Sequence, residues 1–109
     1  MIQATVRMTI RPEKNAEVFR ILRQAVEACR INPGCLSSHI YGDLQEKNVL
    51  LLAQVWTAEE DLARHIRSDE YRDLHLALEL AAEPPEIRFD VIASSTGIET
   101  IEKARGQAM

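Results

Sequence analysis

Ile2, Ala4, Val6, Met8 and Ile10 alternate with Gln3, Thr5, Arg7, Thr9 and Arg11. A period of two gives an extended chain one apolar face, so the N-terminus is predicted to be a strand. Pro12 suits the first turn of a helix. Val18, Phe19, Leu22, Ala25, Val26 and Cys29 then recur at helical spacing, opposite Glu13, Glu17, Arg20, Glu27 and Arg30. That pattern predicts an amphipathic helix with its charged side in water. Asn32-Pro33-Gly34 ends it, because asparagine tolerates a left-handed cap and proline cannot continue a helix.

CLSSHIYGD reads as a second strand, Asp43 to Asn48 as a polar turn, and NVLLLAQVW as a third strand that completes a hairpin. Thr57-Ala58-Glu59-Glu60 has the form of a capping box opening a second helix, in which loss of the Thr57 hydroxyl would cost about 1 kcal/mol. Ser68-Asp69-Glu70 repeats the start signal, so the helix is expected to bend there. Beyond it, Tyr71, Leu74, Leu78 and Ala81 form one apolar stripe. Pro84-Pro85 stops the helix, and EIRFDVIAS reads as a fourth strand. Residues 1–93 therefore form one predicted domain, and 94–109 a polar tail. In that tail IETIEKARGQ suits a short helix, a frayed end or a dimer arm.

The order β-α-β-β-α-β is that of an α+β, ferredoxin-like fold with a four-stranded antiparallel sheet. Right-handed crossovers put both helices on one face of the sheet and leave the other bare. A strand with one wet face should alternate, yet Val49 to Val55 is apolar on both sides apart from Gln54. A second copy of the same sheet is the simplest cover, which predicts a homodimer. The alternative is a lone domain whose central strand is unusually apolar.

Composition narrows the function classes. The chain has 109 residues, 46% hydrophobic and 28% charged, as expected of one globular domain. Net charge is −4 and no stretch concentrates Lys or Arg, which argues against a nucleic-acid surface. The longest strictly apolar run, Val49 to Ala53, is too short to cross a bilayer, and nothing resembles a signal peptide. A cytoplasmic protein is expected. Cys29 and Cys35 match no metal or redox spacing and have no obvious adjacent base; Cys29 falls on the helical stripe as a small hydrophobe. His39, His65 and His75 lack ligand spacing with carboxylates, and the four glycines form no phosphate loop.

Several short motifs occur in a telling order: Arg7 with Arg11-Pro12, then Pro33-Gly34-Cys35-Leu36-Ser37, then Val55-Trp56 followed by Glu59, Leu62 and His65. In this order and topology the chain resembles the antibiotic biosynthesis monooxygenase family of dimeric α+β barrel proteins, over residues 1 to about 93. The resemblance implies a cavity between helices and sheet, and oxidation of small aromatic or quinol-like molecules by dioxygen, in many members without metal or flavin. An electron-rich phenolate can itself pass an electron to dioxygen, so the protein need only bind the ring, take a proton and exclude water.

Position by position, Trp56 matches the aromatic residue that ends strand three, and His65 matches a helix histidine of the quinol-oxidising and phosphosugar-isomerising branches. Tyr71 fits a following aromatic, although Asp69-Glu70 replaces the usual Pro-His pair. Leu52 and Leu62 stand where the anthrone-oxidising branch has Asn and Tyr. His75 has the spacing of the iron-binding histidine of the haem-degrading branch, whose Asn and Trp are here Val6 and His65. The resemblance thus implies His65 as the proton acceptor, with Trp56, Tyr71, His75, Tyr41 and His39 as candidate substrate-binding residues. Arg7 and Asp90 are expected to pair on the dimer-facing side. No cofactor is expected, unless His75 serves as a haem ligand. The resemblance is also compatible with an isomerase of a small phosphorylated keto compound, and with a non-catalytic binding or stress-response module.

Overall fold

The computed structural model describes residues 1–106. Its elements are β1 (Ile2–Thr9), a 3-10 turn (Pro12–Lys14), α1 (Asn15–Arg30), β2 (Cys35–Gly42), β3 (Val49–Trp56), α2 (Glu59–Ile66), α3 (Asp69–Glu79), β4 (Glu86–Val91) and α4 (Ile98–Ala104). The four strands form one sheet in the order β2-β3-β1-β4, with every neighbouring pair antiparallel. This is the ferredoxin-like α+β fold. The alternation of β1 aims Ile2, Val6 and Met8 at the helices, where they meet Leu52 and Trp56 of β3. Val18, Leu22, Ala25, Val26 and Cys29 of α1 and Leu74, Ala77 and Leu78 of α3 close the core from above. No helix among the described residues is long and apolar enough to cross a membrane.

The helices do not cover the sheet evenly. Ile87, Phe89 and Val91 pair with Val6, Ala4 and Ile2 and so lie on the helix side, yet they are 44%, 50% and 75% exposed. β4 thus offers an uncovered apolar inner face at the sheet edge. On the opposite, helix-free face, Leu51, Ala53 and Val55 of β3 are half-buried between Arg7, Thr5 and Gln3 of β1 and Tyr41, His39 and Ser37 of β2. The apolar part of that face is one strand wide, with Glu86, Arg88 and Asp90 beyond β1.

Several local expectations give way to tertiary geometry. Phe19 lies at the edge of the α1 stripe and is 40% exposed, with the Arg23 guanidinium 5.9 Å from its ring centre. The capping box does not form: Ala58 occupies the N-cap position of α2 without a side-chain cap. Thr57 instead donates its backbone N–H to the Gly34 carbonyl at 2.9 Å and its hydroxyl to Asp61 at 3.1 Å. The bend expected at Ser68 is a break between two helices, and Ser68 Oγ accepts from the Tyr71 N–H that opens α3. α3 ends at Glu79, well before Pro84. The chain after it pairs with the end of β1, Ala81 bridging Ile10 and the Ala82 N–H reaching the Thr9 carbonyl at 2.8 Å. Arg7 pairs with Glu46 at 2.6 Å and Asp43 at 3.7 Å in the β2–β3 turn. Register sets Asp90 opposite Gln3, away from Arg7, and Arg88 takes it as partner at 3.2 Å.

Gly34 is the hinge of the α1–β2 corner. Its φ of +90° lies in the left-handed region, and a Cβ there would overlap the Asp61 side chain. Its carbonyl meanwhile receives the Thr57 N–H, tying the corner to the start of α2. Gly34→Ala is therefore expected to destabilise the fold by about 1–3 kcal/mol, seen as a lower urea midpoint with unchanged slope. An unchanged midpoint would show that the corner relaxes freely.

Candidate functional site

Trp56 ends β3 as a completely buried side chain. A buried indole needs a partner for its one N–H. Nε1 donates to Gln54 Oε1 at 3.3 Å, and Gln54 Nε2 donates to Ser38 Oγ at 3.4 Å. Gln54 and Ser38 are both buried, so one polar relay runs through the apolar floor from β3 to β2. It explains the single polar residue in the run from Val49 to Val55. That lone glutamine in an apolar strand is the sequence signal from which the relay could have been found.

Over this floor stands His65, carried on the last turn of α2 and 3% exposed. Its ring centre is 4.9 Å from that of Trp56, tilted by 33°, and 5.6 Å from that of Tyr71, edge-on at 86°. Three ring side chains from β3, α2 and α3 thus converge. Burial depresses the His65 pKa below its ordinary 6.5, and the Glu70 carboxylate only partly offsets this. The imidazole is therefore neutral at neutral pH. Nδ1 of His65 is buried with no hydrogen-bond partner among the described residues. Buried polar atoms without partners are rare, and each calls for an explanation. Tyr71 is half-buried, and burial raises the pKa of its hydroxyl.

Space beside the cluster is small. A cavity of about 10 Å³ is bounded by Ala4, Leu52, Gln54, Leu62, Tyr71 and Phe89, among others. His65 does not line it, although its ring packs against that of Tyr71, which does. An apolar cavity that takes a single benzene ring measures on the order of 150 Å³, so this one admits no ring unless its walls move. Leu62 and Phe89 also line a surface groove of about 320 Å³ with Ile2, Glu59, Ala63, Ile66 and Val91. The groove runs along the uncovered face of β4, directly outside the cavity.

The other candidate residues lie elsewhere. His39 and Tyr41 project from the helix-free face, their ring centres 6.0 Å apart, because β2 sends its even-numbered neighbours Ser38 and Ile40 to the core instead. Arg30 Nη2 lies 3.3 Å from His39 Nδ1. His75 is exposed on the far side of α3, in a separate groove of about 470 Å³ with Leu78, Pro84, Pro85 and Ile87. One turn beyond Tyr71 on the same helix, it has already left the ring cluster. That groove carries Glu79 and Glu83 and neither Lys nor Arg. Haem propionates would meet carboxylates there, so these residues do not fit haem. Among the described residues no group of three or more His, Cys, Asp or Glu side chains converges as a metal site would.

Comparison with known proteins agrees with this architecture. A protein from Synechocystis sp. is 29% identical over 87 residues, covering 79% of this chain and 59% of that protein. The chain thus spans little more than half the length of the curated relative it matches. Among solved structures, a conserved protein from Methanosarcina mazei Go1 superposes with a TM-score of 0.76 at 26% identity, covering 82% of this chain and 89% of that one. A structure described as an antibiotic biosynthesis monooxygenase gives 0.76 at 19% identity, covering 86% and 100% of the two chains. One from Mycobacterium tuberculosis gives 0.79 at 18% identity, covering 88% and 98%. The family model for antibiotic biosynthesis monooxygenase matches residues 1–77, from β1 into α3 and including Trp56, His65 and Tyr71. The chain belongs to the antibiotic biosynthesis monooxygenase family.

Proposed function

We propose that the protein oxidises a small phenolic or quinol-type molecule with dioxygen, with His65 as proton acceptor and no metal or flavin. The observation that supports this most is the unpartnered, buried Nδ1 of His65 between two aromatic rings. Neutral imidazole accepts the phenolic proton, and the electron-rich anion left behind passes an electron to dioxygen. Trp56, held by the Gln54 relay, is a fixed wall, and Tyr71 is the side chain between His65 and the cavity. A flat ring reaches the cluster from the β4 groove as Leu62, Phe89 and Tyr71 give way. Dryness around His65 keeps its pKa low and protects the anion from reprotonation.

The isomerase reading is weaker. Among the described residues, those lining the cavity and the adjoining groove include no Lys or Arg. Their one charged side chain is Glu59, so a phosphate would be repelled rather than held. A binding module without chemistry is the second reading. The small cavity favours it, since a resting enzyme more often keeps room for its substrate.

We also propose that the protein is a homodimer closed across the helix-free face. Leu51, Ala53 and Val55 would form the centre of that contact and Tyr41 and His39 its flank. Wild-type protein is then expected to sediment as a dimer. Leu51→Glu should give a folded monomer by circular dichroism and sedimentation velocity. A dimer in the variant would move the interface elsewhere.

In an oxygen electrode with a panel of substituted hydroquinones, His65→Gln is expected to lose turnover by roughly 100-fold or more, with little change in melting temperature. Failure of the wild type to take up oxygen with any member of the panel would favour the binding reading.

The pH dependence follows from the depressed His65 pKa. The unfolded chain takes up its proton near 6.5, the folded chain only at lower pH. Between these values the unfolded state holds the extra proton. Folding stability therefore falls as pH drops through 6.5 and levels off below the folded value. Urea titrations should show this slope in wild type, and a smaller one in His65→Gln. Activity, which needs neutral His65, should persist somewhat below 6.5 before it falls.

A further inference from the structure

The two cysteines match no familiar motif in the sequence, but the fold brings them together. Cys29 lies on the last turn of α1 and Cys35 opens β2, on either side of the Gly34 corner. Their sulfurs are 2.8 Å apart, with both thiols free. A disulfide needs the sulfurs at about 2.05 Å, a further approach of roughly 0.8 Å. Cys29 is fully buried, whereas Cys35 is only half-buried and faces its own strand's irregular start, where register shifts between Cys35 and Ser37. The strand ladder is thus interrupted next to Cys35.

We propose that Cys29 and Cys35 are a reversible two-electron dithiol site, oxidised by hydrogen peroxide to an intrachain disulfide and reduced again by small thiols. The roles follow from position. Cys35, the more accessible sulfur, attacks one oxygen of the peroxide. The O–O bond breaks and hydroxide leaves, taking up a proton as water. The sulfenic acid on Cys35 is then attacked by the Cys29 sulfur. The S–S bond forms, the S–O bond breaks, and the Cys29 proton leaves with the second oxygen as water. Two thiols lose two electrons in all, and one peroxide becomes two waters. Burial with Cys35 alongside pushes the Cys29 thiol up to about 12. It therefore carries its proton into the second step, and its burial keeps solvent oxidants from reaching it first.

The site also touches the ring cluster. Cys29 packs with Ile2, Trp56 and Leu62 in one buried group, with Cys35 against it. Trp56 is the chain's one tryptophan, so its emission reports on this corner. Disulfides quench indole fluorescence strongly, and oxidation should dim it.

The test uses the full chain, fully reduced and then treated with stoichiometric hydrogen peroxide. Mass spectrometry is expected to show the loss of two hydrogens, with neither thiol open to iodoacetamide added in denaturing urea and an intrachain Cys29–Cys35 peptide. Trp56 emission should fall, and dithiothreitol should restore both thiols and emission. In Cys29→Ala, Cys35 should stop at a sulfenic acid that dimedone traps. The proposal is overturned if treated wild type, once unfolded in urea, keeps both thiols open to alkylation. It is equally overturned if chains cross-link to one another, or if Cys35 proceeds to sulfinic acid while Cys29 stays free. Because the wild-type result is decisive alone, a poorly folding Cys29→Ala would not rescue it.

Discussion

The molecule is organised around the burial of one indole. Trp56 is the largest fully buried side chain, and it sits where β1, β3, α1, β2 and α2 meet. Such a ring contributes a large apolar area but carries an N–H that must be paired. Gln54 supplies the acceptor, and Ser38 in turn satisfies Gln54. That relay admits polar atoms to the core without leaving them open. The indole so held lies 4.9 Å from the His65 ring, at a tilt of 33°.

His65 differs from the relay in one respect. Gln54 and Ser38 are buried and paired, while His65 Nδ1 is buried and unpaired. Desolvation without compensation costs stability in proportion to the missing hydrogen bond, on the order of 1–3 kcal/mol. A fold that can pair an indole so economically nearby has left this atom open. Burial also lowers its pKa, so the ring is held in the neutral form.

Two apolar surfaces remain on the described chain, and they differ in kind. The helix-free face is a single apolar strand framed by polar and aromatic side chains. The inner face of β4 is a row of Ile87, Phe89 and Val91 beside the small cavity, left open because α2 and α3 lie over β1 and β3. α4 adds Ile98 and Ile101, both exposed, with no buried residue of its own. The asymmetry of helix coverage therefore leaves an apolar groove along β4.

Much of this was legible along the chain. Alternation in β1, helical periodicity in α1 and the doubly apolar β3 specify the element order and the ferredoxin-like topology, because burial of one face imposes its period directly on the residues. The second start signal at Ser68 was legible too, as a side chain that caps its own neighbours. The capping box at Thr57 was not, since its hydroxyl and N–H are claimed by Asp61 and by Gly34, a residue distant in sequence. The same limit applies at the site. Local order placed Trp56, His65 and Tyr71 on successive elements, but their convergence, the uncoupling of His75, His39 and Tyr41 from them, and the meeting of Cys29 with Cys35 were decided by tertiary structure. Periodicity tells which side of an element is buried; only packing of one element on another determines which buried groups touch.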